Sequence, residues 1–243
     1  MSIITEDDVR KMLMSESMQK EIFLGKDQII TPSARSYLTE HNVAIKSKSK
    51  KQGNNSEVYT TLFGAVLDEK PEHMTHLRGN TLVFKNHPRI KFRGAIDTLE
   101  SEIIKVQTKA DNAKFIGDLE EIIKFVRNLL RCEVSGEPVG EFKVLEFDAP
   151  MLREYSHHPS KYYGISHFLP TYKHGRMVAE LNGLRTLTRK TELTAYDTFS
   201  DEYGRCGRED IIKALNRLSS LFWIMMFKCL KGEYGEKARG NGI

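Results

Sequence analysis

A chain of 243 residues, 40% of them apolar, is long enough for one or two packed domains with a substantial core. Its net charge of +4 tolerates an anionic ligand but falls short of a nucleic-acid footprint. No run approaches the roughly eighteen consecutive apolar residues of a membrane span, and MSIITEDDVRK at the N-terminus lacks the basic and apolar regions of a signal peptide; the expected setting is cytoplasmic.

Residues 1–48 read as a small N-terminal helical module. EDDVRKML predicts one short helix, and ITPSARSYLTEHNVAI a second. In the second, Thr31 is the N-cap and Pro32 the first helical residue; Ala34, Tyr37 and Leu38 face inward, and Asn42 lies near the C-cap. A short apolar stretch, Val43 to Ile45, follows. The TPSAR…LTEHNV pattern resembles the small helical docking modules of peripheral-subunit-binding domains. Little basic charge falls on the second helix, which argues against a DNA-reading helix–turn–helix.

Residues 49–72 read as a linker or latch. SKSKKQGNNSE is polar, and the cluster of Lys46, Lys48, Lys50 and Lys51 fits a linker better than a binding arm. The TTLFGAVL run that follows is a strand, a lid or a packing latch. Residues 73–232 are predicted to be mainly α, a bundle of about five helices. Apolar stripes mark helices at 88–108, 112–131, 176–198 and 209–231, and 144–155 is ambiguous. Residues 233–243 read as a flexible tail. The three cysteines, Cys132, Cys206 and Cys229, are scattered without a CxxC, so zinc ribbons and disulfide frameworks lack support.

The chemistry concentrates near the C-terminus. In LNGLRTLTRKTE (181–192), Arg185, Arg189 and Glu192 follow i, i+4, i+7 spacing and share one helix face. Two guanidinium forks backed by a carboxylate form an anion clamp suited to phosphate oxygens. The plainer reading is a solvated charged stripe. The next helix favours the clamp, because Asn216 and Ser219 interrupt an otherwise apolar run, and buried polar groups need partners.

Five segments together carry a family resemblance. They are ITPSAR (30–35), MTHLRGNTLVFKNHPRIKFRGAIDTLES (74–101), SHHPSKYYGISHFLP (156–170), HGRMVAELNGLRTLTRKTE (174–192) and DIIKALNRLSSLFWIMM (210–226). In content, order and spacing the chain resembles the ethanolamine-utilisation (EutT-type) cobalamin adenosyltransferases, themselves similar to PduO-type ATP:cob(I)alamin adenosyltransferases. The resemblance implies a helical bundle that moves the 5′-deoxyadenosyl group of ATP to cobalt and releases triphosphate. Reduced corrinoid is already a strong nucleophile, so catalysis would rest on alignment and on neutralising the leaving group.

On this resemblance Arg185 and Arg189 hold the triphosphate. Glu192 orients an arginine or approaches the Mg²⁺ that accompanies ATP, and Asn216 contacts phosphate or ribose. Thr75, Arg78, Gly79, Asn80 and Lys85 form an ATP-binding loop. Arg93 and Asp97 are either a surface ion pair or a supporting contact at the nucleotide site. PduO-type sequences carry an Asp soon after NRLS, where Ser220 stands here, which removes one carboxylate partner of the clamp. Metal-dependent EutT proteins carry a His and several Cys just before the MTHL-like segment. TTLFGAVLDEKPE has no cysteine, so no transition-metal ligands are assigned and activity without bound Zn or Fe is expected.

His157, His158 and His167 shape a substrate loop or, as the less favoured reading, bind a metal. Phe115, Phe125, Phe168 and Tyr163 are equal candidates for displacing the lower corrinoid ligand. The expected partners are ATP and corrinoid in a homo-oligomer. PduO-type relatives are trimers with the nucleotide site between subunits. The N-terminal module would dock to a microcompartment shell, a reductase or ethanolamine ammonia-lyase. The alternative is a non-catalytic carrier or regulator that binds ATP or adenosylcobalamin.

Overall fold

Residues 2–15, 21–24, 28–41, 43–47 and 58–235 are described in the computed structural model of the chain. Contacts divide the chain into two units, 1–56 and 57–243. In the first, β1 (Ser2–Ile4) and α1 (Glu6–Ser15) precede β2 (Glu21–Leu24), β3 (Gln28–Ile30), α2 (Pro32–Glu40) and β4 (Ala44–Ser47). The α2 start is as the sequence predicts: Pro32 opens it, and the Thr31 hydroxyl accepts from the Ala34 amide at 3.3 Å. Asn42, its expected C-cap neighbour, lies outside the described residues, as do Lys48, Lys50 and Lys51.

Both expected helices of this module are present, and the structure adds strands that the helical reading did not include. Two parallel strand pairs, β1 with β3 and β2 with β4, stand beside the two helices. Strands of three or four residues give no periodicity of their own and depend on non-local pairing. Ile4, Val9, Ile22, Ala34 and Leu38 form the unit's small core.

The second unit begins with a four-stranded sheet in the order β6-β5-β8-β7, made of β5 (Tyr59–Thr61), β6 (Val66–Leu67), β7 (Met74–Arg78) and β8 (Thr81–Phe84). Residues 58–72, the latter part of the expected linker or latch, thus supply two strands. β5 pairs with β8 in parallel, and β7 and β8 form a hairpin. Met74, Leu77, Leu82 and Val83 are the buried apolar residues of the sheet, and Leu82 and Val83, adjacent on β8, lie on opposite faces.

The helices follow: α3 (Pro88–Gln107), α4 (Ala113–Ser135), α5 (Ala149–His157), the short α6 (Pro159–Tyr163), α7 (Arg176–Phe199) and α8 (Glu209–Leu230). A short strand pair, β9 (Lys143–Val144) with β10 (Phe147–Asp148), leads into α5. α3 packs on α4 and α7, α7 on α8, and α8 on α5. The four long helices fall where the apolar stripes predict them. Phe92, Ile96, Leu99 and Ile103 of α3 meet Leu119, Ile122 and Val126 of α4 in one large core. α8 is buried nearly all round from Leu221 to Phe227, so it is the central helix.

Tyr234, in the expected flexible tail, is buried; its hydroxyl donates to Asp118 Oδ2 at 2.7 Å and its ring meets Phe115 edge-on. Residues 236–243 lie outside the described residues. No helix among the described residues is long and apolar enough to cross a membrane.

The α3 N-terminus is capped by His87, whose Nδ1 accepts from the Arg89 amide at 3.2 Å. Burial first, then the charges of Arg89 and Arg93, lower the His87 pKa from its usual value. Protonation would also remove the capping lone pair. A lowered folded pKa means that the unfolded chain binds the proton more readily. This contribution to stability is therefore complete above the unfolded His pKa of about 6.5 and is lost as pH falls through the lowered folded value. His87→Asn keeps a neutral cap. The variant should flatten the part of the thermal midpoint's acid slope just below pH 6.5, as read by circular dichroism melts; an unchanged slope would show that His87 is not its source.

Candidate functional site

The clamp arginines meet in an open pocket of about 350 Å³ between α7, α8 and the loop after α6. Arg185 and Arg189 come from α7, Ser219, Ser220 and Trp223 from α8, and Phe168, Leu169 and Pro170 from the loop. Polar and aromatic groups thus converge on one concavity, as small-molecule sites require.

Arg185 is half-buried, and Asn182 Oδ1 accepts from its Nε at 3.1 Å and from its Nη2 at 3.0 Å. Its guanidinium carbon lies 5.9 Å from the Trp223 ring centre. Burial and then repulsion from Arg189 lower the Arg185 pKa from its usual value. It stays charged all the same, because guanidinium does not deprotonate in proteins. Arg189 is exposed. Among the described residues, neither arginine forms an ion pair with a carboxylate.

Glu192 faces another partner: its Oε1 accepts from Asn216 Nδ2 at 3.0 Å. Asn216 Oδ1 in turn accepts from Arg217 Nη1 at 3.2 Å. Glu192 and Asn216 thus tie α7 to α8 beside the arginines. Ser219 and Ser220 both turn their hydroxyls back to the Asn216 carbonyl, at 2.8 and 3.3 Å.

The predicted loop residues occupy the β7–β8 hairpin. Thr75 pairs with Val83, and Gly79 and Asn80 make the turn between Arg78 and Thr81. Gly79 has φ +51°, a left-handed conformation that a glycine accommodates freely. The Asn80 carbonyl accepts from the Thr60 amide at 3.0 Å, which fixes the turn to β5. Lys85, just beyond β8, is exposed.

Arg93 is the anchor of this hairpin. Its Nη2 donates to the Leu77 carbonyl at 2.7 Å and its Nη1 to the His76 carbonyl at 3.3 Å. Its Nε pairs at 2.6 Å with Glu133, a carboxylate with no exposed surface. Glu133 also takes Arg89 Nε at 2.5 Å. The sequence pairing of Arg93 with Asp97 is thus replaced: Asp97 is exposed, while the buried carboxylate on α4 outcompetes it.

The hairpin and the clamp sit at different levels of the bundle. Thr198, near the end of α7, bonds the Pro88 carbonyl at the start of α3. Arg185 lies thirteen residues earlier on α7, about 20 Å along the helix axis. No hydrogen bond or ion pair joins the two sets among the described residues.

Of the aromatic candidates, Phe168 borders the pocket, stacked on Trp223 at 5.2 Å, whereas Phe115 and Tyr163 are buried in the core and Phe125 packs on Phe142. His167 stacks over Trp223 at 6.0 Å, and its Nε2 lies 3.3 Å from the His157 carbonyl. Among the described residues no three His, Cys, Asp or Glu side chains gather as a metal site. The residues around the hairpin do not fit a His–Cys centre either. His76 Nδ1 is engaged with the Gly79 carbonyl and His73 stacks on Phe84, while Cys132 is buried, with Sγ 3.6 Å from the Pro138 carbonyl.

Trp223 and Asn182 escaped the sequence reading, although both carried a signal. Asn216, Ser220 and Trp223 repeat on α8 the i, i+4, i+7 spacing of the clamp, and Asn182 precedes Arg185 by three. Glu133 falls on the apolar stripe of α4, in step with Leu119, Ile122, Val126 and Leu129.

The family model described as cobalamin adenosyltransferase matches residues 65–229. The chain is 30% identical over 226 residues to the protein named corrinoid adenosyltransferase EutT of Escherichia coli (strain K12), covering 85% of this chain and 84% of that protein. It is 29% identical over 226 residues to the protein of the same name from Salmonella typhimurium, with the same coverage. The fold matches a structure of a single-residue variant of a PduO-type ATP:corrinoid adenosyltransferase from Lactobacillus reuteri complexed with cobalamin and ATP. There the TM-score is 0.50 at 18% identity, over 70% of this chain and 96% of that one. The matched region holds the hairpin, the clamp and the α7–α8 groove together, and the chain belongs to the cobalamin adenosyltransferase family.

Proposed function

We propose that this chain is an ATP:corrinoid adenosyltransferase whose leaving-group site is the pocket of Arg185 and Arg189. The observation that carries the reading is the pairing of two arginines without a carboxylate in a concavity floored by Trp223 and Phe168. In the reaction, the Co(I) electron pair forms a bond to C5′ of ATP. The C5′–O bond breaks, and its electron pair leaves with triphosphate. The two guanidinium groups neutralise the charge that grows on that oxygen chain. Phe168 presents an apolar edge to the corrinoid side. Glu192 Oε2 accepts from no protein donor among the described residues, which leaves it open to the Mg²⁺ that travels with ATP.

The hairpin residues Arg78, Gly79 and Asn80 would complete the nucleotide site from a second copy of the chain. Their separation from the clamp supports this. Leu62, Phe63, Val66 and Phe84, all exposed on the sheet and its turn, supply an apolar surface for such an assembly to cover. The product would serve an ethanolamine ammonia-lyase, in the cytoplasm or within a microcompartment.

The test is to mix purified protein with MgATP and chemically reduced cob(I)alamin and follow the visible spectrum. Conversion to adenosylcobalamin is the expected result. ATP binding without conversion would instead make the chain a carrier or regulator. Turnover should also survive removal of transition metals by a chelator in the presence of excess Mg²⁺. Stoichiometric Zn or Fe required for turnover would overturn that expectation.

The first unit is proposed as a docking module. Its own small core suggests that it folds apart from the catalytic unit. Deleting residues 1–56 should leave turnover in vitro within about two-fold while abolishing co-localisation with partners in cells. Lost turnover would mean that the unit has an integral catalytic role.

A further inference from the structure

Asn128 grips Arg131 through one oxygen just as Asn182 grips Arg185, but Arg131 also pairs with the Glu137 carboxylate and Arg185 pairs with none among the described residues. Arg89 and Arg93 are held by the Glu133 carboxylate and Arg208 by that of Asp210. Arg185 is held by an amide. Asn182, one turn earlier on α7, accepts from Nε and Nη2 through a single oxygen. That grip occupies one edge of the guanidinium fork, and the Trp223 ring lies 5.9 Å from its carbon. Nη1 has no hydrogen-bond partner among the described residues, and the side chain lines the pocket with Arg189, Ser219 and Ser220.

The amide matters because of what a carboxylate would do here. Aspartate in place of asparagine would bind the fork more strongly, through charge-assisted bonds. It would also cancel one of two positive charges that face the same concavity. A neutral acceptor fixes the geometry and leaves the charge available. The tether lies within one helix, so it holds before any ligand or second copy arrives.

We propose that Asn182 is a positioning residue that aims the Arg185 fork into the pocket through a neutral contact, keeping the joint charge of Arg185 and Arg189 uncompensated for a polyphosphate. This rests on the leaving-group reading of the pocket. A purely structural role would make different demands. It would require only an acceptor at this place, and the carboxylate of an Asn182→Asp variant supplies one as well as the native amide does. An electrostatic role makes that same substitution the worst one.

The full chain is titrated with inorganic tripolyphosphate by calorimetry as wild type, Asn182→Ala, Asn182→Ser and Asn182→Asp. Thermal melts confirm that each is folded. Asn182→Ser keeps a neutral acceptor and should stay within about three-fold of wild type, while Asn182→Ala should weaken binding about three- to ten-fold through lost aim. Asn182→Asp should weaken it more than thirty-fold, roughly, with kcat/KM for MgATP falling in the same order. An Asn182→Asp protein that binds as tightly as Asn182→Ala, or tighter, overturns the proposal while leaving the pocket reading in place. A wild-type protein that does not bind tripolyphosphate overturns both.

Discussion

Arg189→Ala should lower kcat/KM for MgATP by about 30- to 1000-fold while leaving the thermal midpoint unchanged. The side chain is exposed and has no ion-pair partner among the described residues, so its removal disturbs neither core nor network. On the proposed reading, what is lost is a charge-assisted, fork-shaped contact to the leaving triphosphate. One such contact to a developing anion in a partly desolvated site contributes about 2–4 kcal/mol, and each 1.4 kcal/mol or so is a factor of ten. The negative charge on the leaving oxygen is greater in the transition state than in bound ATP, so kcat should fall together with any rise in KM. Arg189→Lys keeps the charge but loses the fork and should be intermediate. Initial rates of cobalt–carbon bond formation, with MgATP varied at saturating cob(I)alamin, decide the matter. Turnover within a few-fold of wild type would remove Arg189 from the leaving-group site.

That Arg185 and Arg189 share a face was legible in the sequence because one helix carries both. Spacing within an α-helix fixes which side chains share a face, whatever surrounds it. The four long helices were legible for the same reason, each having an apolar stripe several turns long. The partners across the groove were harder to read. Glu192 meets Asn216 through the packing of α7 on α8, and no local pattern says how two helices are rotated against each other. Trp223 lay hidden because an aromatic in a long apolar run reads as core; only its register with Asn216 and Ser220 sets it apart. The short strands of both units were not legible. Segments such as QII, AIKS and YTT are too brief to show alternation, and their pairing joins residues far apart in the chain, as β5 with β8 does. Arg93 shows the limit of local reasoning from the other side. Asp97 stands at ideal helical spacing, yet the guanidinium turns to a carboxylate forty residues away, because a buried Glu133 cannot be left without cations.

Glu133→Ala should be the most destabilising single change at this junction, by about 3–5 kcal/mol, the usual cost of removing one partner from a buried ionic cluster. The carboxylate is wholly buried and takes Arg89 on one oxygen and Arg93 on the other. Without it, two neighbouring cations, each still mostly shielded from water, repel one another. In a unit of this size the thermal midpoint should fall by roughly 6–20 °C. The damage should also reach the β7–β8 hairpin, because Arg93 orients the Leu77 and His76 carbonyls of β7, two residues before the turn at Gly79. Amide hydrogen exchange should therefore quicken in residues 74–84 more than in α8. Glu133→Gln keeps the shape and one acceptor but still leaves one net charge more, so it should fall between alanine and wild type. A double substitution, Arg89→Met with Glu133→Gln, removes a cation together with the charge it answered and should recover part of the loss. If Glu133→Ala melts within about 2 °C of wild type, the cluster is neutralised some other way and does not anchor the hairpin. If it melts early yet the hairpin's exchange is unchanged, Glu133 serves the α3–α4 packing alone. Early melting with a loosened hairpin would make this buried carboxylate the link through which the bundle core sets the position of the Gly79–Asn80 turn, the one proposed to meet ATP.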